Sequence, residues 1–248
     1  MSDINFEKMS LEDNIDIVKW SYYSEGYIHD YTINLFPELS SFEKGKLSEQ
    51  DKDKELEKVV KDYYDKYLEY IASKLDEYKK EWSKYNDVYF NTLKNYLNTE
   101  LPNKDITCYV GIIPIYPRNI NDNYFAISTK VKDEEFLRVC AHEILHFLWF
   151  KKWQSMYPKT SKKEFNAPYL PWKYSEMITD PILNSKEIQK VFNHKFKEFT
   201  YDEFYLLEYN KENVMKHLVS IWQKNINIED KIIEGYEYIK LVFYEKEK

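Results

Sequence analysis

The chain has 248 residues, 43% hydrophobic and 18% aromatic, enough to bury a sizeable core. Its formal net charge is −7 and its basic residues are dispersed among acidic ones. That argues against a nucleic-acid partner, because phosphate binding needs a concentrated positive surface. Only Gly26, Gly45, Gly111 and Gly235 are available, so no glycine-rich phosphate cradle exists. No uncharged apolar run reaches membrane-spanning length and the first twenty residues hold no apolar signal core, so a cytoplasmic protein without membrane contact is expected.

Residues 1–45 show no regular period, although Trp20, Tyr22, Tyr23, Tyr27 and Tyr31 fall there. From about Ser48 to Leu97 the pattern changes. Leu56, Val60, Tyr63, Tyr67, Ile71, Tyr78, Trp82, Tyr85, Tyr89, Leu93 and Tyr96 recur at helical steps without Gly or Pro. One helix of that length would run about 75 Å, more than a compact domain accommodates, so Asn86-Asp87 reads as an interruption. The stripe is either a scaffold helix or a coiled-coil arm that offers a helical partner contact through 48–97. Its richness in Tyr favours the scaffold.

Residues 105–130 form the β region, with runs at 106–110, 112–116 and 124–129 and a loop from Arg118 to Asn123. A helix follows over about 134–155, opened by Asp133, Glu134 and Glu135 and given apolar surface by Phe136, Val139, Leu145, Leu148 and Trp149. Cys108 and Cys140 give no disulfide framework, and Cys140 reads as buried helix packing. A loop with Pro158, Pro168 and Pro171 leads to Tyr174–Asp180. Pro181 must then end or kink the helix, and Asn184 with Glu187 reads as the capping pair of the next one. Further helices are expected at about 185–195, 201–208, 211–224 and 228–243.

The chemistry concentrates in His142-Glu143-Ile144-Leu145-His146. Residues four apart on a helix are rotated by about 40°, so both imidazoles can reach one small ion. Glu143 is rotated by about 100°, poorly placed as a ligand but near enough to take a proton from a water beside the ion. With 5 His and 27 Glu in the chain, the pattern is expected by chance only about 0.01 times. The competing reading is two core histidines on an apolar helix. Thirty residues on, Glu176 and Asp180 share an i, i+4 face, unless they are solvated surface charges. Trp149 and Lys152 stand where a metzincin would have Gly and His, which excludes that class.

Over about residues 105–185 the chain resembles a gluzincin, a thermolysin-like zinc metallopeptidase in which E-x-x-x-D follows H-E-x-x-H by a few tens of residues. The resemblance implies one Zn²⁺ per chain held by His142, His146 and Glu176, with Asp180 orienting His142 from behind and Glu143 as catalytic base. It implies a peptide or protein substrate paired with a sheet edge at 124–129, unless that segment is a core strand. It also implies a Tyr or His that stabilises the oxyanion, for which Tyr169, Tyr174, His194 and Tyr201 are candidates. The expected architecture is α+β, mostly helical with a small sheet, and the zinc site lies between the H-E-x-x-H helix and a Glu-bearing helix. Residues 1–104 would be a helical scaffold and 105–248 the zincin-like region. Two alternatives stay open. A zinc hydrolase acting on a non-peptide amide could use the same residues, and a regulatory or binding protein could keep a structural zinc, although such a site needs no base at Glu143.

Overall fold

The computed structural model describes residues 3–44, 48–197 and 200–246, so Gly45 lies outside the described residues. The architecture is α+β and mostly helical, with a four-stranded mixed sheet and a separate two-stranded hairpin. The chain forms two compact units, one from 3–84 with 104–139 and the other from 85–103 with 140–248. The N-terminal segment supplies a strand to the sheet of the β region.

The first unit contains β1 (Ile4–Lys8), α1 (Leu11–Tyr22), α2 (Tyr27–Leu35), α3 (Ser40–Lys44), α4 (Glu49–Lys66), α5 (Leu68–Trp82), β2 (Ile106–Gly111), β3 (Arg118–Asn119) and β4 (Tyr124–Ser128). The sheet order is β1-β2-β4-β3. The first three run parallel and β3 antiparallel. The register sets Phe6 beside Cys108 and Cys108 beside Phe125, all buried on one face with Val110 and Ile127. Phe136 closes that face, tilted on Phe6 and stacked on Tyr78 with ring centroids 4.3 Å apart. β4 is buried on both faces beyond Tyr124 and reads as a nearly continuous apolar run, whereas β2 alternates, with Thr107 and Tyr109 half-buried on its second face.

Residues 3–44 form more regular structure than their lack of period suggested. Ser10 caps α1 by accepting from the Asp13 N–H at 3.0 Å. Asn14 is buried and accepts from the Ile112 N–H at 2.8 Å. The close approach explains Gly111, where a Cβ would lie 2.7 Å from Asn14 Oδ1. The long helical stripe breaks at Tyr67 as well as before Asn86. Leu56, Val60 and Tyr64 of α4 join a cluster with Val18 and Phe36, while the Tyr78 hydroxyl of α5 reaches the Ser128 and Val131 carbonyls. The run 112–116 is not a strand, since Pro114 and Pro117 remove ladder donors. Pro117 contributes its carbonyl instead, accepting from the Ala126 N–H at 2.9 Å. With β3 paired to Tyr124 and Phe125, the outer strand of the sheet is β3, so of the two readings of 124–129 the covered strand holds for its first residues.

The second unit contains α6 (Asn86–Leu97), the part of α7 (Asp133–Met156) from Cys140 onward, α8 (Leu170–Met177), α9 (Thr179–Leu183), α10 (Lys186–Phe192), α11 (Asp202–Tyr205), the hairpin β5 (Glu208–Tyr209) and β6 (Glu212–Asn213), α12 (Val214–Trp222) and α13 (Ile228–Lys246). Its core is aromatic, with Trp149 set against Tyr174 and Trp222 at ring-centroid distances of 5.5 and 6.0 Å. The helices expected at about 201–208 and 211–224 are the shorter α11 and α12, and the hairpin occupies the residues between them. Its turn residues Asn210 and Lys211 both adopt positive φ, 50° and 66°, as a two-residue hairpin loop demands. The cap before α10 is Ser185, which accepts from the Ile188 N–H, and Asn184 ends α9. Among the described residues no helix is long and apolar enough to cross a membrane.

Candidate metal centre

Residues 141–150 of α7 are all buried, so this stretch has no solvent face and its polar side chains must find partners inside. Its C-terminal part is fastened by Lys152. The buried ammonium donates to the Asn98 carbonyl at 3.1 Å and pairs with Glu229, whose carboxyl it holds below the ordinary range.

The second wall is α8. Tyr169 stands at its N-cap and Pro171 in its first turn, where a missing N–H costs nothing. At the other end Pro181 cannot donate to the Met177 carbonyl, so the helix stops at Met177 and resumes as α9. Thr179 Oγ1 covers part of the break by donating to the Glu176 carbonyl at 2.7 Å. Tyr174 anchors α8 from within. It is fully buried, lies against Trp149, Trp153 and Tyr236, and donates its hydroxyl to the Ile232 carbonyl at 3.3 Å. Burial pushes that phenol's pKa well above its ordinary value. Gly235 of α13 makes room for it, since a Cβ there would stand 2.3 Å from the hydroxyl oxygen.

These two walls bring His142, His146 and Glu176 together. The two Nε2 atoms are 3.1 Å apart. Glu176 sets Oε2 at 3.2 Å from His142 Nε2 and Oε1 at 3.4 Å from His146 Nε2. Donors bound at about 2.0–2.2 Å around a tetrahedral ion are themselves about 3.3 Å apart, so the three groups already have the spacing of metal ligands. His142, His146 and Glu176 are 5%, 0% and 4% exposed, and this buried group could hold a metal ion. The ring of His146 stacks on Phe150, which stacks in turn on Phe165. Glu143, on the same helix, is also buried.

Asp180 is buried in α9 and is no surface charge. It accepts a hydrogen bond from the Tyr205 hydroxyl, a partner that no spacing marked among 24 tyrosines. Of the candidate oxyanion donors, Tyr174 is removed, because its hydroxyl is sealed in the core and already donated. Tyr169, His194 and Tyr201 are exposed. Tyr169 lies near Lys163, His194 Nδ1 bonds the Phe192 carbonyl, and Tyr201 packs edge-on to Trp172. Cys108 and Cys140 are both buried and neither forms a disulfide.

Compared with protein-family models, characterised proteins and solved structures, the chain finds no match.

Proposed function

We propose that the protein is a zinc-dependent peptidase of the gluzincin type, with His142, His146 and Glu176 as the metal ligands. The observation that carries this reading is the 3.1–3.4 Å spacing of their donor atoms in a buried setting. The donor chemistry fits zinc, for which two imidazoles and one carboxylate are a known catalytic set that leaves one position open. When bound, the ion would polarise a carbonyl oxygen and lower the pKa of a water to about 7.

The remaining chemistry belongs to the chain. Glu143 follows His142 on α7, so its carboxylate points to one side of the ligand pair instead of along it. There it takes a proton from the attacking water and passes it to the leaving amine. Low exposure around it strengthens that interaction, because few waters compete for the carboxylate. In this reading Asp180 would turn to the buried His142 Nδ1 once the metal is bound, holding the tautomer that leaves Nε2 free. The presence of Glu143 supports hydrolysis over a purely structural metal site, which would have no use for a base.

The test is digestion of a mixed peptide library by zinc-reconstituted protein, beside Glu143→Gln. The wild type should cleave peptide bonds, and the variant should keep its zinc with turnover reduced at least about 100-fold. Cleavage of non-peptide amides alone would move the substrate class. Equal activity in the variant would remove Glu143 as base.

A further inference from the structure

We infer that Tyr205 is a positioning residue, aiming the Asp180 carboxylate through a hydroxyl whose own hydrogen bonding is fixed on both sides. The inference rests on the proposed role of Asp180 as the carboxylate behind the metal ligands. Tyr205 ends α11, and its hydroxyl donates to Asp180 Oδ2 while accepting from the Thr200 N–H at 3.1 Å. A phenol has one hydrogen and two lone pairs. With the Thr200 N–H on a lone pair, that single hydrogen is directed to the carboxylate.

The Tyr205 backbone is anchored as well. Its carbonyl accepts from Asn213 Nδ2 at 2.7 Å, and Asn213 Oδ1 caps α12 by accepting from the Lys216 N–H at 3.0 Å. A chain of hydrogen bonds thus runs from the N-terminus of α12 to Asp180, one turn beyond Glu176. Asp180 is buried, and a buried carboxylate keeps its direction only when donors hold it. The kink before Pro181 leaves the short α9 unable to impose that direction by helix rigidity alone.

The experiment measures zinc affinity by chelator competition for wild type, Tyr205→Phe, Asp180→Ala and the double variant, with thermal melting of each metal-free protein. Asp180→Asn serves as the isosteric form should Asp180→Ala not fold. Tyr205→Phe should weaken zinc binding about 10-fold and Asp180→Ala on the order of 10–100-fold. The double variant should be no weaker than Asp180→Ala, because the hydroxyl acts only through the carboxylate. Metal-free Tyr205→Phe should stay folded and melt modestly lower, since the Thr200 N–H and Asp180 each lose a partner, so zinc affinity is read well below its melting temperature. Wild-type affinity in Tyr205→Phe, with Asp180→Ala impaired, overturns the inference and leaves the zinc site standing, as does full additivity. Unchanged affinity, whatever the change in melting, gives the hydroxyl a purely structural role and overturns it. A wild type that holds no zinc overturns both this inference and the proposed function.

Discussion

Gly235→Ala sets helix propensity against packing, and the structure decides the sign. In the middle of α13 an alanine should stabilise the helix by about 1 kcal/mol. Its Cβ, however, would lie 2.3 Å from the Tyr174 hydroxyl oxygen and 3.1 Å from Cζ. Tyr174 cannot swing aside, since Trp149, Trp153 and Tyr236 surround it. Overpacking of this kind costs about 1–3 kcal/mol, and displacing the hydroxyl from the Ile232 carbonyl about 0.5–1.5 more. The net expectation is a loss of about 1–3 kcal/mol. Because Glu176 sits two residues from Tyr174 on α8, zinc affinity should fall too. Tyr174→Phe removes the offending oxygen, so the double variant should recover more than half of the loss. Urea unfolding of the four metal-free proteins gives the coupling energy. A Gly235→Ala protein as stable as the wild type, with unchanged zinc affinity, would refute the claim that α13 positions the Glu176 helix.

Glu176→Ala should abolish tight zinc binding without unfolding the protein, checked by equilibrium dialysis and circular dichroism, because it removes one of three donors. Asn14→Ala should destabilise the protein by about 1–3 kcal/mol in denaturant melts, since it orphans the buried Ile112 N–H. Acid should weaken the fold. Lys152 holds Glu229, and Lys19 holds Asp53, below the ordinary carboxylate range. Their contribution is therefore complete above about pH 4–5 and disappears as pH falls through the lowered folded values. Melts between pH 6 and pH 3 should show this loss, and Glu229→Gln should flatten it. An unchanged slope in that variant would assign the acid sensitivity elsewhere.

What was legible in the sequence was whatever local order encodes. The metal helix combined a 3.6-residue period with acidic opening residues, and α7 spans Asp133–Met156 against an expected 134–155. Strands β2 and β4 came from β-rich runs, alternating in burial in β2 and almost wholly buried in β4. Residues 112–116 looked equally strand-like, yet two prolines denied them the ladder. Strand β1 was hidden because its five residues alternate weakly and acquire meaning only beside β2, about a hundred residues away. A two-residue strand such as β3 carries no period at all. Within the site, helical spacing relates His142 and His146 on one unbroken helix, whereas Glu176 was named through the resemblance and Asp180 lies beyond the break between α8 and α9. Tyr205 and Gly235 were invisible for the opposite reason. Their roles arise from tertiary approach, of one hydroxyl to Asp180 and of another to a missing side chain.

The most direct test of the central claim is the zinc content of the purified chain after dialysis against zinc and then metal-free buffer. About one equivalent per wild-type chain is expected, kept by Glu143→Gln and lost by His146→Ala. A wild type that retains no zinc, or a His146→Ala variant that retains as much as the wild type, would contradict the assignment of His142, His146 and Glu176 as a metal centre.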